Sequence, residues 1–299
     1  MKTRIIVSAI LLPIFFCVLF VFPPIVLTIV ISVICGIGAY ELLHATKMST
    51  NKRVLVYTII AAALTPLAVF ISNIGKYNIY GEIAAAGISN LILATLLLSI
   101  FFIFMCFLVI DAFLTYKSKK AAEKGTQLKF RKIPIALAGG MLIPLMLSAL
   151  INLKCMPYGH LFVLLPIVSA FLTDSGAYFI GVAFGKTKPF PTISPNKTVE
   201  GYIGGLIFGT LGMVIYGAIL ATATSLPVIL PALILYGIIG AVVTECGDLA
   251  FSLIKRKCGI KDFGRLIPGH GGALDRFDSM SFCAPTMYLL TIILPAIIF

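Results

Sequence analysis

The chain of 299 residues is 60% hydrophobic and only 11% charged, with a mean hydropathy of +1.09. Soluble domains average about 45–50% apolar and about 25% charged, so the composition excludes an ordinary soluble globule, a disordered chain and a small disulfide scaffold. The 23 basic and 11 acidic residues give a net charge of +12, which in a lipid-dissolved chain has to be read by position before it identifies a partner.

A spanning helix needs about 20 mostly apolar residues. In chain order, such runs fall near 5–21, 25–43, 54–72, 84–114, 133–151, 161–183, 201–221, 228–250 and 280–299. The expectation is an all-α, polytopic integral membrane protein with about nine transmembrane helices. Lys2 and Arg4 ahead of the first run resemble a signal peptide, yet Phe22-Pro23-Pro24 follows instead of a small-residue cleavage site. The first run is read as a retained span that forms a hairpin with the second. The seven cysteines show no CxxC and no Cys/His zinc spacing, and all are read as structural.

Positive charge orients the spans. With the N-terminus in the cytoplasm, every basic residue except Lys76 and Lys154 falls on the inner side. The C-terminus then lies outside, and the location is the cell (inner) membrane. The basic loop Lys117–Lys132 is read as a solvated stretch against anionic head groups, with no role for nucleic acid. The acidic residues divide the chain differently. Seven of the 11, Asp174, Glu200, Glu245, Asp248, Asp262, Asp275 and Asp278, follow residue 150. Residues 1–150 are therefore expected to be a scaffold of transmembrane helices, and 151–299 the catalytic region with its cytoplasmic loops.

Four polar constellations occupy that second half. Asp174, Tyr178, Gly181 and Gly185 share one face of the sixth span; an ionisable residue in a span usually faces a bundle interior or a wet cavity. The bland alternative is glycine packing with one hydrogen-bonded Asp. Ser194-Pro195-Asn196-Lys197-Thr198-Val199-Glu200-Gly201 precedes the seventh span. It reads either as simple N-capping or as an anion site, where a helix N-terminus and a lysine favour phosphate. Glu245, Asp248, Ser252 and Lys255 form a stripe at the end of the eighth span. Its two carboxylates repel each other at a negative helix end, and a cation such as Mg²⁺ is the natural offset. The densest stretch runs Lys255-Arg256, Lys261-Asp262, Phe263-Gly264-Arg265, Pro268-Gly269-His270-Gly271-Gly272 and Asp275-Arg276-Phe277-Asp278. Its glycines permit close backbone approach to a ligand. Cations for phosphates, carboxylates for metal and the lack of a strong nucleophile pattern suit phosphoryl or nucleotidyl transfer.

Ser252-Leu253-Ile254-Lys255-Arg256, Lys261-Asp262-Phe263-Gly264, Pro268-Gly269-His270-Gly271-Gly272 and Asp275-Arg276-Phe277-Asp278 together resemble the signature of the phosphatidate cytidylyltransferases (CDP-diacylglycerol synthases). The runs at Asp174, at Ser194–Gly201 and at Gly247-Asp248 resemble that family's other blocks. The likeness covers about residues 165–299 in motif detail. Ala273 stands where a larger aliphatic is usual, and Val182 where a basic residue is expected. The resemblance implies transfer of the cytidylyl group of CTP to phosphatidic acid, giving CDP-diacylglycerol and pyrophosphate with Mg²⁺, a second cation being left open. It also implies the residue roles. Asp248, Asp275, Lys261, Asp262 and His270 form the catalytic set, with His270 either carrying a proton or holding a phosphate. Asp248 and Asp275, with Asp278 and Glu245 as near alternatives, are the metal carboxylates. Asp174, Ser194, Lys197, Thr198, Glu200, Ser252, Lys255, Arg256, Gly271, Gly272 and Arg276 are the substrate contacts. Partners are CTP, phosphatidic acid and membrane lipids; a homodimer through the apolar N-terminal half is compatible but no motif compels it. A CTP-dependent polyprenol or phytol kinase and, in a different class, a cation transporter stay open as alternatives.

Overall fold

A computed structural model of the chain describes residues 13–78, 82–116, 128, 132–224, 227–266 and 271–296. Its regular elements are helices. Among the described residues, seven helical stretches are long and apolar enough to cross a membrane: Pro24–Ala45, Lys52–Ile74, Asn90–Thr115, Ile133–Cys155, Gly159–Phe184, Val199–Thr224 and Leu230–Lys257. They correspond to the second to eighth runs of the sequence. Large apolar side chains such as Phe102, Ile103 and Phe171 are exposed on them, as expected where lipid is the solvent.

The two terminal runs differ from the other seven. Much of the first, like Lys2 and Arg4, lies outside the described residues. Residues 13–20 are helical and the helix ends before Pro24, where proline opens the next helix without losing a needed N–H. The ninth forms a helix of only 16 residues, Asp278–Ile293. At 1.5 Å per residue that is about 24 Å, short of a hydrocarbon core of about 30 Å.

The chain groups into two compact units, Met1–Cys155 with Asp262–Asp275, and Met156–Lys261 with Arg276–Phe299. In the first unit, α1 (Pro24–Ala45), α2 (Lys52–Asn78) and α3 (Glu82–Tyr116) pack in sequence order. Leu43, Val54, Phe104, Leu108 and Ala136 are among the residues of their shared core. The interrupted helix α4 (Ile133–Cys155) contains a π-helical turn at Ala138–Leu142, between Pro134 and Pro144. At Gly140 an added Cβ would stand 2.7 Å from the Phe104 ring and 3.3 Å from Thr58, so the position has no room for a larger residue as the turn packs on α2 and α1. Asp111 is buried in this unit. It accepts a 2.5 Å hydrogen bond from Asn51 and lies 3.6 Å from the Arg53 guanidinium. Lys154, placed in an outer loop by the charge pattern, is instead a buried helix-end residue whose ammonium donates to the Leu19 carbonyl.

The second unit is a helical bundle of α5 (Leu164–Phe184), α6 (Val199–Thr224), α7 (Leu230–Lys257) and α8 (Asp278–Ile293). Small residues set the approach of its helices, as in other membrane bundles. A Cβ on Gly204 would meet Ile180, and one on Gly237 would meet the Thr210 backbone. Both glycines are buried.

Candidate active site

The polar residues of the second unit converge where α7 ends and where α6 and α8 begin. The Lys197 ammonium, one residue before the α6 cap, lies 2.5 Å from the Asp248 carboxylate on α7. Ser252, one turn on, donates to the other Asp248 oxygen at 3.3 Å. Lys255, a further three residues along α7, is 3.6 Å from the carboxylate of Asp278 at the start of α8. Asp174 on α5 is close enough for the charges of Lys197, Asp248 and Asp278 to act on it. Lys197 also stands 5.4 Å from the centre of the Tyr202 ring.

Of the two carboxylates one turn apart on α7, Asp248 is offset by the Lys197 ammonium. Burial works against the Lys197 ammonium, but Asp248 outweighs that cost, with Tyr202 and Asp174 adding to it, and the group titrates above the ordinary lysine range. Glu245 faces inward: its Oε1 atom is buried, without a hydrogen-bond partner among the described residues. A Cβ on Gly205 would lie 2.4 Å from that atom, so the glycine makes room for the carboxylate.

Several sequence-singled residues have local structural work. Thr198 caps α6, its Oγ1 accepting from Gly201 N–H at 3.1 Å. Glu200 accepts from the backbone N–H groups of Lys186 and Thr187 and braces the loop after α5. Gly181 and Gly185 pack against Thr198. Tyr178 is exposed, its ring edge-on to Phe179. Ser194 closes a turn, its carbonyl accepting from Lys197 N–H. Arg256 donates to the carbonyls of Ile193 and Ile260. Lys261 and Arg276 are exposed.

In the first unit, Asp275 accepts from Phe263 N–H at 2.8 Å and Gly272 N–H at 3.0 Å, both at Oδ2. The Gly272 N–H, which the sequence offers to a phosphate, is therefore committed to Asp275. Gly271 has φ +86°, a left-handed backbone that favours glycine. Asp262 is exposed. His270 lies outside the described residues, as does most of the Lys117–Lys132 loop. The sequence reading missed Glu41. Buried on α1, it accepts from Ala273 N–H at 3.0 Å and Leu274 N–H at 2.9 Å. Its only sequence signal was its position, a carboxylate inside an otherwise apolar span.

Long apolar helices, with lysines and carboxylates paired at the helix ends of the second unit, are the kind of arrangement that phosphate chemistry at a membrane surface uses. More specifically, residues 2–294 match the model of the cytidylyltransferase family, and the chain belongs to that family. It is 42% identical over 133 residues to a phosphatidate cytidylyltransferase of Bacillus subtilis, covering 44% of this chain and 48% of the relative. It is 43% identical over 131 residues to the protein of that name from Staphylococcus saprophyticus (44% and 49% coverage), and 42% identical over 131 residues to that from Staphylococcus haemolyticus (44% and 49%). The aligned stretch thus spans about half the length of these relatives.

Proposed function

We propose that this chain transfers the cytidylyl group of CTP to phosphatidic acid, releasing pyrophosphate and leaving CDP-diacylglycerol in the membrane. The observation that carries the reading is the alternation of lysines and carboxylates formed by Lys197, Asp248, Lys255 and Asp278, in a chain whose relatives are named phosphatidate cytidylyltransferases. A phosphate oxygen of phosphatidic acid attacks the α-phosphorus of CTP. The bond from that phosphorus to the bridging oxygen breaks, and pyrophosphate leaves with the electron pair. The nucleophile comes from the substrate, so the protein's task is to position two anions and neutralise them.

Lys197 and Lys255 are the groups that would neutralise phosphate charge. Both already sit against carboxylates, from which a stronger anion could draw them. Asp248 and Asp278 fit Mg²⁺ as hard oxygen donors, and each already holds a cation in the form of an ammonium group. Among the described residues no three His, Cys, Asp or Glu side chains gather to hold a metal alone. Mg²⁺ commonly takes one or two carboxylates and completes its shell with substrate phosphate and water. When bound there, the ion would offset charge on the triphosphate and the departing pyrophosphate. Ser252 holds Asp248 in orientation, and Asp174 tunes Lys197.

Nine spans, a cytoplasmic N-terminus and a cytoplasmic site in the cell membrane complete the proposal, supported by the distribution of basic residues. The test is Asp248→Asn and Asp278→Asn in membranes supplied with CTP, phosphatidic acid and Mg²⁺. Each variant is expected to lose at least about 100-fold in CDP-diacylglycerol formation at unchanged protein level, the scale of losing one charge-stabilising group. Near-normal activity in both would overturn the assignment.

A further inference from the structure

The signature loop begins within a turn whose successive backbone N–H groups all point at carboxylates. Gly272 N–H goes to Asp275, and Ala273 and Leu274 N–H go to Glu41. Consecutive N–H groups in a turn with a left-handed residue form a concavity that binds anions. Here a buried side chain from a helix 232 residues away in sequence fills it. The fit is close. A Cβ on Gly272 would stand 2.5 Å from both Glu41 oxygens, and one on Gly264 would stand 2.2 Å from Glu41 Oε1. Leu274 packs on the same helix, near Gly38. A carboxylate in the last turns of a helix is opposed by the helix dipole. Burying it in an apolar span adds a desolvation cost. Two charge-assisted hydrogen bonds offset these costs, and an uncharged residue would avoid them altogether.

We infer that Glu41 is a positioning residue for the reaction, holding the Gly271–Asp275 turn of the signature stretch in its folded conformation. The inference rests on the functional reading above. Glu41 touches no substrate; it acts through the backbone of residues 273 and 274. Asp275 braces the same turn from its other side through Phe263 and Gly272. The N-terminal unit is thereby more than a lipid-facing scaffold, since one of its helices supplies the anchor of the C-terminal signature.

The experiment compares wild type, Glu41→Gln, Glu41→Ala and Thr28→Val, a control on the same helix, each reconstituted in vesicles containing phosphatidic acid. Measurements are kcat and KM for CTP, protein recovery, and hydrogen exchange at the Ala273 and Leu274 amides. Glu41→Gln keeps one acceptor and is expected to show a KM for CTP raised about tenfold, with faster exchange confined to residues 271–275. Glu41→Ala is expected to lose 100-fold or more in kcat/KM, and Thr28→Val to change less than twofold. If Glu41 served folding alone, kcat would fall in step with recovered protein, KM would not move, and the inference would fail. Unchanged or higher activity in Glu41→Gln, or unchanged exchange at Ala273 and Leu274, would also overturn it. A wild-type protein that forms no CDP-diacylglycerol would refute the functional reading instead, while the exchange measurement would still judge the role of Glu41 in the turn.

Discussion

The contact between Lys197 and Asp248 permits a quantitative test. At 2.5 Å, and with an effective dielectric of about 20, the gross attraction is about 7 kcal/mol. Desolvation removes most of it, because both side chains are only about a quarter exposed, at 23% and 25%. The expected net coupling is about 1–2 kcal/mol, above the range of most exposed pairs. Lys197→Ala, Asp248→Asn and the double variant close a cycle that isolates this value. The chain has no Trp, so unfolding in detergent is best followed with a thiol-reactive dye that reaches the buried Cys35 and Cys283 on melting. Lys197→Ala should be the more destabilising single change. It leaves Asp248 beside Asp174 with one cation fewer, whereas Asp248→Asn leaves Lys197 with Asp174 and Tyr202. Added Mg²⁺ should restore Lys197→Ala more than wild type. A coupling below about 0.3 kcal/mol, within the usual error of additivity, would refute the claim that the pair organises the site.

Three further outcomes are expected. Gly237→Ala should lower stability by about 1–3 kcal/mol in the same melting assay, because its Cβ would meet the Thr210 Cα at 2.5 Å and backbone cannot step aside. Gly259→Ala, with φ +71° and open space around it, should cost only about 1 kcal/mol of backbone strain; equal losses would refute the close-packing account. Asp111→Ala should cost about 2–3 kcal/mol by stranding the buried Asn51 amide, whereas Arg53→Ala should cost less than about 1 kcal/mol because that side chain is 59% exposed; the reverse order in melting curves would contradict it. Because Asp248 raises the Lys197 pKa above its ordinary 10.5, the stability that the charge supplies is fully present below the unfolded value and disappears only as pH rises through the higher folded one. The Lys197→Ala deficit should therefore persist at pH 9 and shrink only above about pH 10.5, and a deficit that fades between pH 6 and 9 would contradict the pairing.

The spans were legible because length and apolarity are local properties. The second to eighth runs correspond to the seven long helices. The last run is matched by a shorter helix: Asp278 opens it and it ends at Ile293, so 16 residues are helical among those described. Capping at Thr198 was also legible, since cap and helix are neighbours. The pairing of Lys197 with Asp248 was not. Each residue stood in its own motif, 51 positions apart, and hydropathy says nothing about which helix ends meet. Glu41 was the furthest from reach. Its partners are backbone N–H groups more than 200 residues away, and backbone partners leave no trace in side-chain patterning.

The central claim is that the cytidylyl group of CTP ends on phosphatidic acid. The direct measurement is turnover by the purified, reconstituted protein with CTP labelled at the α- or the γ-phosphate, with and without Mg²⁺. Lipid should acquire the α-label only, in step with pyrophosphate release and only when Mg²⁺ is present. Transfer of the γ-label to lipid would identify a kinase, and cation flux with neither label transferred would identify a transporter; either result would contradict the account.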